Sequence, residues 1–557
     1  MRNLNIPVGV SDFEQIRRNG YYYVDKTGMI AELLEEESTA VTLITRPRRF
    51  GKTLGMSMLA SFFDIQRDST ALFEGLEISG NAELCRKWMN QYPTIFLSFK
   101  DVDGLTFQSA YDMLSAAVTD LYKKHLYLLD SGKVNAYDKE IIGRIAAGQA
   151  SVTEIKKGLF LLTEAMNAHY EKPVILLLDE YDVPAAKASS RGYYGEMLEV
   201  VRALMSTVLK DNSHLRLAVL TGCLQIAKES IFTGTNNFVS DTIASSGLNE
   251  YFGFTQQDVD RLLADADAAD YAKTIKAWYD GYHFGKVDVY CPWDVMNYLR
   301  DIKRNPEAKP ASYWKNTSDN AIIRSFIEYA GSSITGKLET LMAGGSISQR
   351  IEENLTYDYL HASEDNFWSV LYLTGYLTRV REQDQREPLA EGCFALRIPN
   401  AEIRDIFETT VQLWFSDSAK GWNRRALFDA VWSGEQEKLT EEIRALLRMT
   451  ISYHDYREDF YHAFLAGIFA GAGYTVESNR EHGEGRSDVA VLDSRGDRAA
   501  VFEVKYAKSP EKMEACCEEA LRQIDRRKYA EDFADTCSQV FCYGIAFYKK
   551  RCLVRRK

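Results

Sequence analysis

Four short apolar runs punctuate the first 235 residues: Ala40–Thr45, Thr94–Phe99, Val174–Leu178 and Leu215–Thr221. Helix-period patterns lie between them. Runs this short and this continuously apolar predict parallel strands buried on both faces. Their alternation with helices predicts an α/β fold with a doubly wound parallel sheet. From about Asn236 to Ala330 the pattern is mostly helical and rich in aromatics, among them Tyr251, Phe252, Trp278, Tyr282 and Trp293. Gly281, Gly285 and Pro292 mark tight turns there. From about Gly331 to Thr440 the chain reads as helical again, interrupted at Met342-Ala-Gly-Gly-Ser. Beyond Glu441 a helix (His454–Gly471), two strands (Asp488–Leu492 and Ala499–Val504), a helix (Glu511–Ala530) and a strand (Val540–Phe547) follow.

With 557 residues, at roughly 150 per domain, three or four domains are expected. The 46% apolar content and only 11 prolines suit folded domains without long Pro-rich linkers. Acids outnumber bases 80 to 67, for a net charge of −13. That excludes a bulk cationic nucleic-acid binder, so DNA would need local basic patches. Two are available: Arg526-Arg-Lys528 and the tail Lys549-Lys-Arg-Cys-Leu-Val-Arg-Arg-Lys557. Their alternative reading is a solvated helix face and terminal strand. No apolar stretch reaches the ~20 residues of a membrane span. The nine cysteines form no CxxC pair and the eight histidines no HExxH spacing. Reduced cysteines in a cytoplasmic protein are the expectation.

Chemistry enters after the first strand, at Arg46-Pro-Arg-Arg-Phe-Gly-Lys-Thr53 leading into Leu54-Gly-Met-Ser. Strand, Gly-Lys-Thr loop and helix are the setting of a phosphate-binding loop. Backbone N–H groups of such a loop cradle phosphate oxygens. Lys52 would reach the β- and γ-phosphates, and the Thr53 hydroxyl would ligate Mg²⁺. The first glycine of the general pattern is Arg46 here, so the tripeptide alone also fits an ordinary strand-to-helix turn with a surface lysine. A second motif shifts the balance: Pro173-Val-Ile-Leu-Leu-Leu-Asp179-Glu180-Tyr-Asp182. A buried strand ending in two acids suits an Asp179 that holds Mg²⁺ and a Glu180 that polarises the attacking water. The strand ending at Thr221-Gly222 offers Thr221 as a γ-phosphate sensor or a turn hydroxyl. Arg48 and Arg49 could contact phosphates, reach a neighbouring subunit or make structural ion pairs. Arg48, Arg49, Phe50, Gly51, Lys52, Thr53, Leu54, Asp179 and Thr221 are thus the candidate nucleotide-binding residues.

A second constellation lies near the C-terminus: Gly485-Arg-Ser-Asp488, then Val501-Phe-Glu503-Val-Lys505. Strand alternation puts Glu503 and Lys505 on one face, and an antiparallel hairpin would bring Asp488 to them. Two carboxylates and a backbone carbonyl can bind Mg²⁺, or Mn²⁺, and Lys505 can position or deprotonate a water. Glu458 on the preceding helix could complete the acid set, and Gln523 on the following helix could orient water or phosphate. By spacing alone, a structural charge cluster is the competing reading.

These motifs, with Tyr22-Tyr-Val-Asp-Lys-Thr27, Lys228-Glu-Ser-Ile-Phe232, Trp278-Tyr-Asp-Gly-Tyr282, Trp314-Lys-Asn-Thr317 and Tyr543-Gly-Ile-Ala-Phe547, make the chain resemble a bacterial family. That family joins an AAA-ATPase-like domain to a C-terminal PD-(D/E)XK nuclease domain. The resemblance spans nearly the whole length, and the RPRRFGKT loop looks like this family's own phosphate loop. It implies an ATPase domain at 1–235, a winged-helix-like lid at 236–330, a helical linking region at 331–440 and a nuclease domain at 441–557. It implies ATP and Mg²⁺ at Lys52, Thr53, Asp179 and Glu180, and a metal-dependent nuclease at Asp488, Glu503 and Lys505. The expected function is ATP hydrolysis coupled to DNA cleavage, in the control of foreign or mobile DNA, by a protein able to form homo-oligomers. Two rivals stand beside it: a nucleotide-gated switch or binding module with an idle nuclease domain, and an ATP-driven DNA repair factor.

Overall fold

In the computed structural model the four apolar runs of the N-terminal half lie in one parallel sheet. The structure describes residues 4–35, 39–225, 238–314, 337–338, 340–353, 355, 363–385, 388–418, 425–450, 458–470, 474–478, 481–482, 485–486, 488–493, 497–534, 536–548 and 551–557. The sheet strands are β1 (Val41–Thr45), β2 (Thr94–Ser98), β3 (Val174–Asp179), β4 (Leu215–Gly222) and β5 (Phe238–Asp241). Their order is β2-β3-β4-β1-β5. Strand β4 therefore stands between the strand that feeds the Lys52 loop and the strand that ends in Asp179.

Alternation along β3 explains why this sheet is covered on both sides. Leu176 and Leu178 join one core with Val41, Leu43 and Leu220, under the helices Phe107–Lys124, Val152–Tyr170 and Tyr194–Leu209. Ile175 and Leu177 join the other with Ile44, Val219, Met56 and Phe62, under the helix Lys52–Phe63. A strand with no polar face must be sandwiched in this way.

After β5 come the helices Gln256–Ala266 and Ala272–Tyr279, a hairpin of β6 (Tyr282–Phe284) and β7 (Val287–Val289), and the helix Pro292–Arg304. The three helices share their own core around Leu262, Ile275, Tyr279, Val295 and Leu299. The middle of the chain is largely helical but also holds a three-stranded sheet, ordered β8 (Ile347–Arg350), β10 (Cys393–Arg397) and β9 (Thr378–Arg379). Strands of two to five residues are too short to impose a readable period.

The chain separates into two compact units, Met1–Asn316 with Ser348–Glu402, and Thr317–Ile347 with Ile403–Lys557. The second unit contains a five-stranded mixed sheet of β11 (Thr475–Ser478), β14 (Val489–Asp493), β15 (Arg498–Tyr506), β16 (Gln539–Tyr548) and β17 (Arg551–Arg556). A small ladder of β12 (Glu481–His482) and β13 (Gly485–Arg486) stands apart from it. Strands β14 and β15 are antiparallel, whereas β15 and β16 run parallel. The crossover between them is the helix Met513–Arg527, which covers β15, β16 and β17 through Met513, Cys517, Ala520 and Ile524. The helix Glu458–Ala470 packs on β11, β14 and β15, and Tyr461 stacks on Phe547 at 4.1 Å.

Candidate functional site

The loop after β1 needs two left-handed residues, and they fall at Arg49 (φ 76°) and Gly51 (φ 85°). Position 46 has no such requirement, so a side chain is tolerated where the general pattern has glycine. That side chain is fully buried. Arg46 forms an ion pair with Asp241, and also donates to the carbonyls of Thr45 and Asp241 and to Asn249 Oδ1 at 2.9–3.0 Å. Its guanidinium lies over Phe252, 5.2 Å from the ring centre. The next residues are anchored too. Pro47 packs so closely under Gly375 that a Cβ there would stand 2.9 Å from it. Arg49 stacks on Trp293 at 4.1 Å, and buried Phe50 meets Tyr282 and Phe284 with ring centres 4.9 and 5.1 Å apart. Of the two loop arginines, Arg49 is half-buried, which lowers its pKa, and Arg48 is exposed.

Gly51 leads directly into the Lys52–Phe63 helix, whose first residues are Lys52, Thr53 and Leu54. Buried Lys52 Nζ donates to the carbonyls of Arg46 and Pro47, both at 2.8 Å. Thr53 Oγ1 donates to Asp179 Oδ2 at 3.0 Å, and so does Ser98 Oγ at the end of β2. Thr221 Oγ1 donates to Asp179 Oδ1 at 2.7 Å. Asp179 is thus the buried hub of three strand ends, and the Thr221 hydroxyl donates its hydrogen bond to that carboxylate. Glu180 follows in a left-handed conformation (φ 53°), a strained geometry typical of functional positions. Burial raises the Glu180 pKa, while Lys52 opposes the rise. The Thr53 and Ser98 hydroxyl oxygens, each within hydrogen-bond reach of the Asp179 carboxylate, form with it a set that fits a hard divalent cation.

Behind the loop lies a pair of acids absent from the sequence reading. Asp294, in the first turn of the Pro292–Arg304 helix, and Glu402 are both buried and stand against one another. Burial pushes Asp294 up to about 6, against hydrogen bonds from Glu402 and Cys291 that lower it, while burial and the neighbouring Asp294 push Glu402 up to about 11. Glu402 Oε1 accepts the Trp314 N–H at 2.8 Å. At neutral pH such a pair keeps one shared proton.

In the second unit the antiparallel hairpin does bring Asp488 to the other acid-bearing strand. Val489 faces Phe502, and Asp488 Oδ2 accepts the Val504 N–H at 2.8 Å. Glu503 is fully buried, and Lys505 Nζ pairs with its Oε1 at 3.1 Å. Asp488, Glu503 and Lys505 therefore gather at one end of the β14–β15 pair. Buried His462, absent from the sequence reading, bonds through Nε2 to the Asp488 carbonyl. Its signal was its place one helical turn after Glu458. The side chain of Glu458 lies outside the described residues. Gln523 is half-buried on the covering helix. The two carboxylates supply hard oxygens, but among the described residues no group of three His, Cys, Asp or Glu side chains could hold a metal by itself. A bound ion would complete its shell with water or backbone oxygen.

Within the basic tail, Arg551–Arg556 is a paired strand. Arg555 makes a two-pronged ion pair with Glu514, with both contacts at 2.6 Å, Lys557 pairs with Asp525, and Arg556 lies over Phe541. Among the described residues no helix is long and apolar enough to cross a membrane.

Residues 7–232 match the family model described as Predicted AAA-ATPase, and residues 456–557 match that of the PD-(D/E)XK nuclease superfamily. The chain carries an AAA-ATPase-like domain at its N-terminus and a PD-(D/E)XK nuclease superfamily domain at its C-terminus. It is also 26% identical over 560 residues to an uncharacterized protein in the vnfD 5′ region of Azotobacter chroococcum mcd 1, across 98% of this chain and 97% of that one.

Proposed function

We propose that the N-terminal domain binds and hydrolyses ATP with Mg²⁺, and that its nucleotide cycle controls metal-dependent DNA cleavage by the C-terminal domain. Control of foreign or mobile DNA is the setting this combination suits. The observation that carries the reading is the convergence on Asp179 of the Thr53, Ser98 and Thr221 hydroxyls, beside Lys52 and Glu180. Lys52 would exchange its two loop carbonyls for phosphate oxygens. Thr53 and Asp179 would hold the cation, which supplies charge neutralisation at the phosphates when bound. Glu180 would accept the proton of the attacking water; its raised pKa makes it a better base. In the nuclease domain Asp488 and Glu503 would hold the metal, and Lys505 would orient or deprotonate the water. Glu458 and Gln523 are proposed to complete that site, and Arg526, Arg527 and Lys528 to meet DNA phosphates. The two-domain match supports the pairing of activities.

The test is phosphate release and plasmid cleavage by the purified chain, each with and without divalent metal and ATP. Lys52→Ala is expected to lose ATP binding and turnover, whereas Glu180→Gln keeps ATP and loses turnover. Turnover by Lys52→Ala equal to wild type would sink the ATPase reading.

A further inference from the structure

Asp182 closes the acidic motif after β3, yet it is neither cation ligand nor base in the chemistry given to Asp179 and Glu180. By position it caps the helix Val183–Arg191, where an aspartate ordinarily accepts an N–H of its own helix. Its side chain makes no capping bond. Oδ2 instead accepts the backbone N–H groups of Cys223 and Leu224, at 2.9 and 3.0 Å, more than forty residues away in sequence. The carboxylate is buried, at 2% exposure, and its position beside Lys52 offsets part of the cost of burying it. Two amides satisfied by one buried carboxylate form a strong, directional tie.

The same stretch is joined to β4 at almost every residue. The Glu180 N–H reaches Thr221 Oγ1 at 3.4 Å, the Tyr181 N–H reaches the Thr221 carbonyl at 3.0 Å, and the Tyr181 hydroxyl donates to the Leu224 carbonyl at 3.0 Å. A Cβ on Gly222 would stand 2.7 Å from both Asp182 Oδ1 and the Tyr181 ring, so the two segments touch without room for a side chain. The exit of β4 in turn meets the phosphate loop. The Gly222 carbonyl accepts the Arg46 N–H at 3.1 Å, and Cys223 Sγ lies 3.7 Å from Lys52 Nζ.

We propose that Asp182 is a positioning residue for ATP hydrolysis: by holding the amides of Cys223 and Leu224, it fixes the β4 exit between the Lys52 loop and the Asp179–Glu180 acids. The proposal rests on the ATPase reading above. Loss of the tie lets Thr221 and the β4 exit drift, so Asp179 and Glu180 lose their alignment while the phosphate cradle itself persists. Turnover should suffer and nucleotide affinity should not.

Steady-state ATP turnover, binding of a fluorescent ATP analogue and melting temperature are measured on the full chain. The variants are Asp182→Ala, Asp182→Asn and Tyr181→Phe, beside wild type. Asp182→Ala is expected to lower kcat by about 10²-fold, the scale of a misplacement near 1 Å, with analogue affinity unchanged. Asp182→Asn keeps an oxygen where Oδ2 stands and should recover most of that turnover. Tyr181→Phe removes the adjoining bond at nearly constant volume and should lower kcat in the same sense. It carries the test if Asp182→Ala does not fold. Wild-type kcat in the folded variants overturns the proposal, as does a loss of analogue affinity that matches the loss of kcat. A wild type with no turnover overturns the ATPase reading and this proposal together. An active wild type with active variants overturns the proposal alone.

Discussion

Replacing Arg46 with glycine would make the loop conform to the general phosphate-loop pattern, and it is expected to damage the protein. The guanidinium is fully buried and bonded on several sides, and its carboxylate partner Asp241 is itself mostly buried. Burial pushes the Asp241 pKa up, and Arg46 is what holds it down. Removing one member of a buried pair strands the other, at a cost of about 3–5 kcal/mol. The gain from glycine is small, because the left-handed positions of the loop are Arg49 and Gly51. At about 2 °C per kcal/mol for a large domain, the melting transition should fall by about 6–10 °C. Arg46→Gly with Asp241→Asn should be less damaging than the sum of the single changes, since the stranded charge is gone. Calorimetry on the four proteins of this cycle, followed by ATP-analogue binding at a temperature where all are folded, reads both effects. An Arg46→Gly protein that melts with wild type refutes the reasoning.

The Asp294–Glu402 pair gives a pH dependence of definite sign. Both folded pKa values are raised, so the folded state holds more protons than the unfolded one, and stability falls as pH rises from 5 to 8, by about 1.4 kcal/mol per pH unit for each proton held only in the folded state. Melting temperatures across that range should fall less steeply for Glu402→Gln; parallel curves would show that the pair is not proton-linked. Asp488→Asn removes a charge at nearly constant volume, so Mn²⁺ affinity and plasmid cleavage should fall together; calorimetric titrations that superimpose on wild type would make Asp488 a structural group. Cleavage rates at fixed free Mg²⁺ should differ between no nucleotide, ADP and a non-hydrolysable ATP analogue, and equal rates on several DNA substrates would mean that the domains work independently.

What could be read from the chain beforehand was what is local. Asp179 and Lys52 announce themselves because strand, loop and helix follow one another within a few residues. Glu503 and Lys505 do so because strand alternation puts them on one face. The partners that give these residues their environment come from far along the chain. Asp241 is 195 residues from Arg46, and Ser98 is 81 from Asp179. A serine ending an apolar strand carries no local mark of its role. The tail read as a basic patch because charge is visible in sequence and pairing is not; Glu514, 41 residues upstream of Arg555, turns part of it into an ordinary edge strand. Asp294 and Glu402 were invisible for the opposite reason: an acid at a helix start is ordinarily a solvated dipole partner, and only the fold places two of them together in the interior.

The anchoring of the Arg46–Thr53 loop also sets an order of assembly. Its supports lie at Asp241 and Phe252, then at Tyr282, Phe284 and Trp293, and finally at Gly375. A chain emerging from the ribosome N-terminus first, at about 5–20 residues per second, presents the loop early and its supports late. For many seconds of synthesis Arg46 is a cation without its anion and Phe50 an aromatic without its cover. A nascent chain stopped before residue 241 carries every residue of the Gly-Lys-Thr motif and none of these supports. On the proposed function, competence to hold nucleotide in the native geometry is thus a late event of biosynthesis, although the Gly-Lys-Thr loop is among the first segments made.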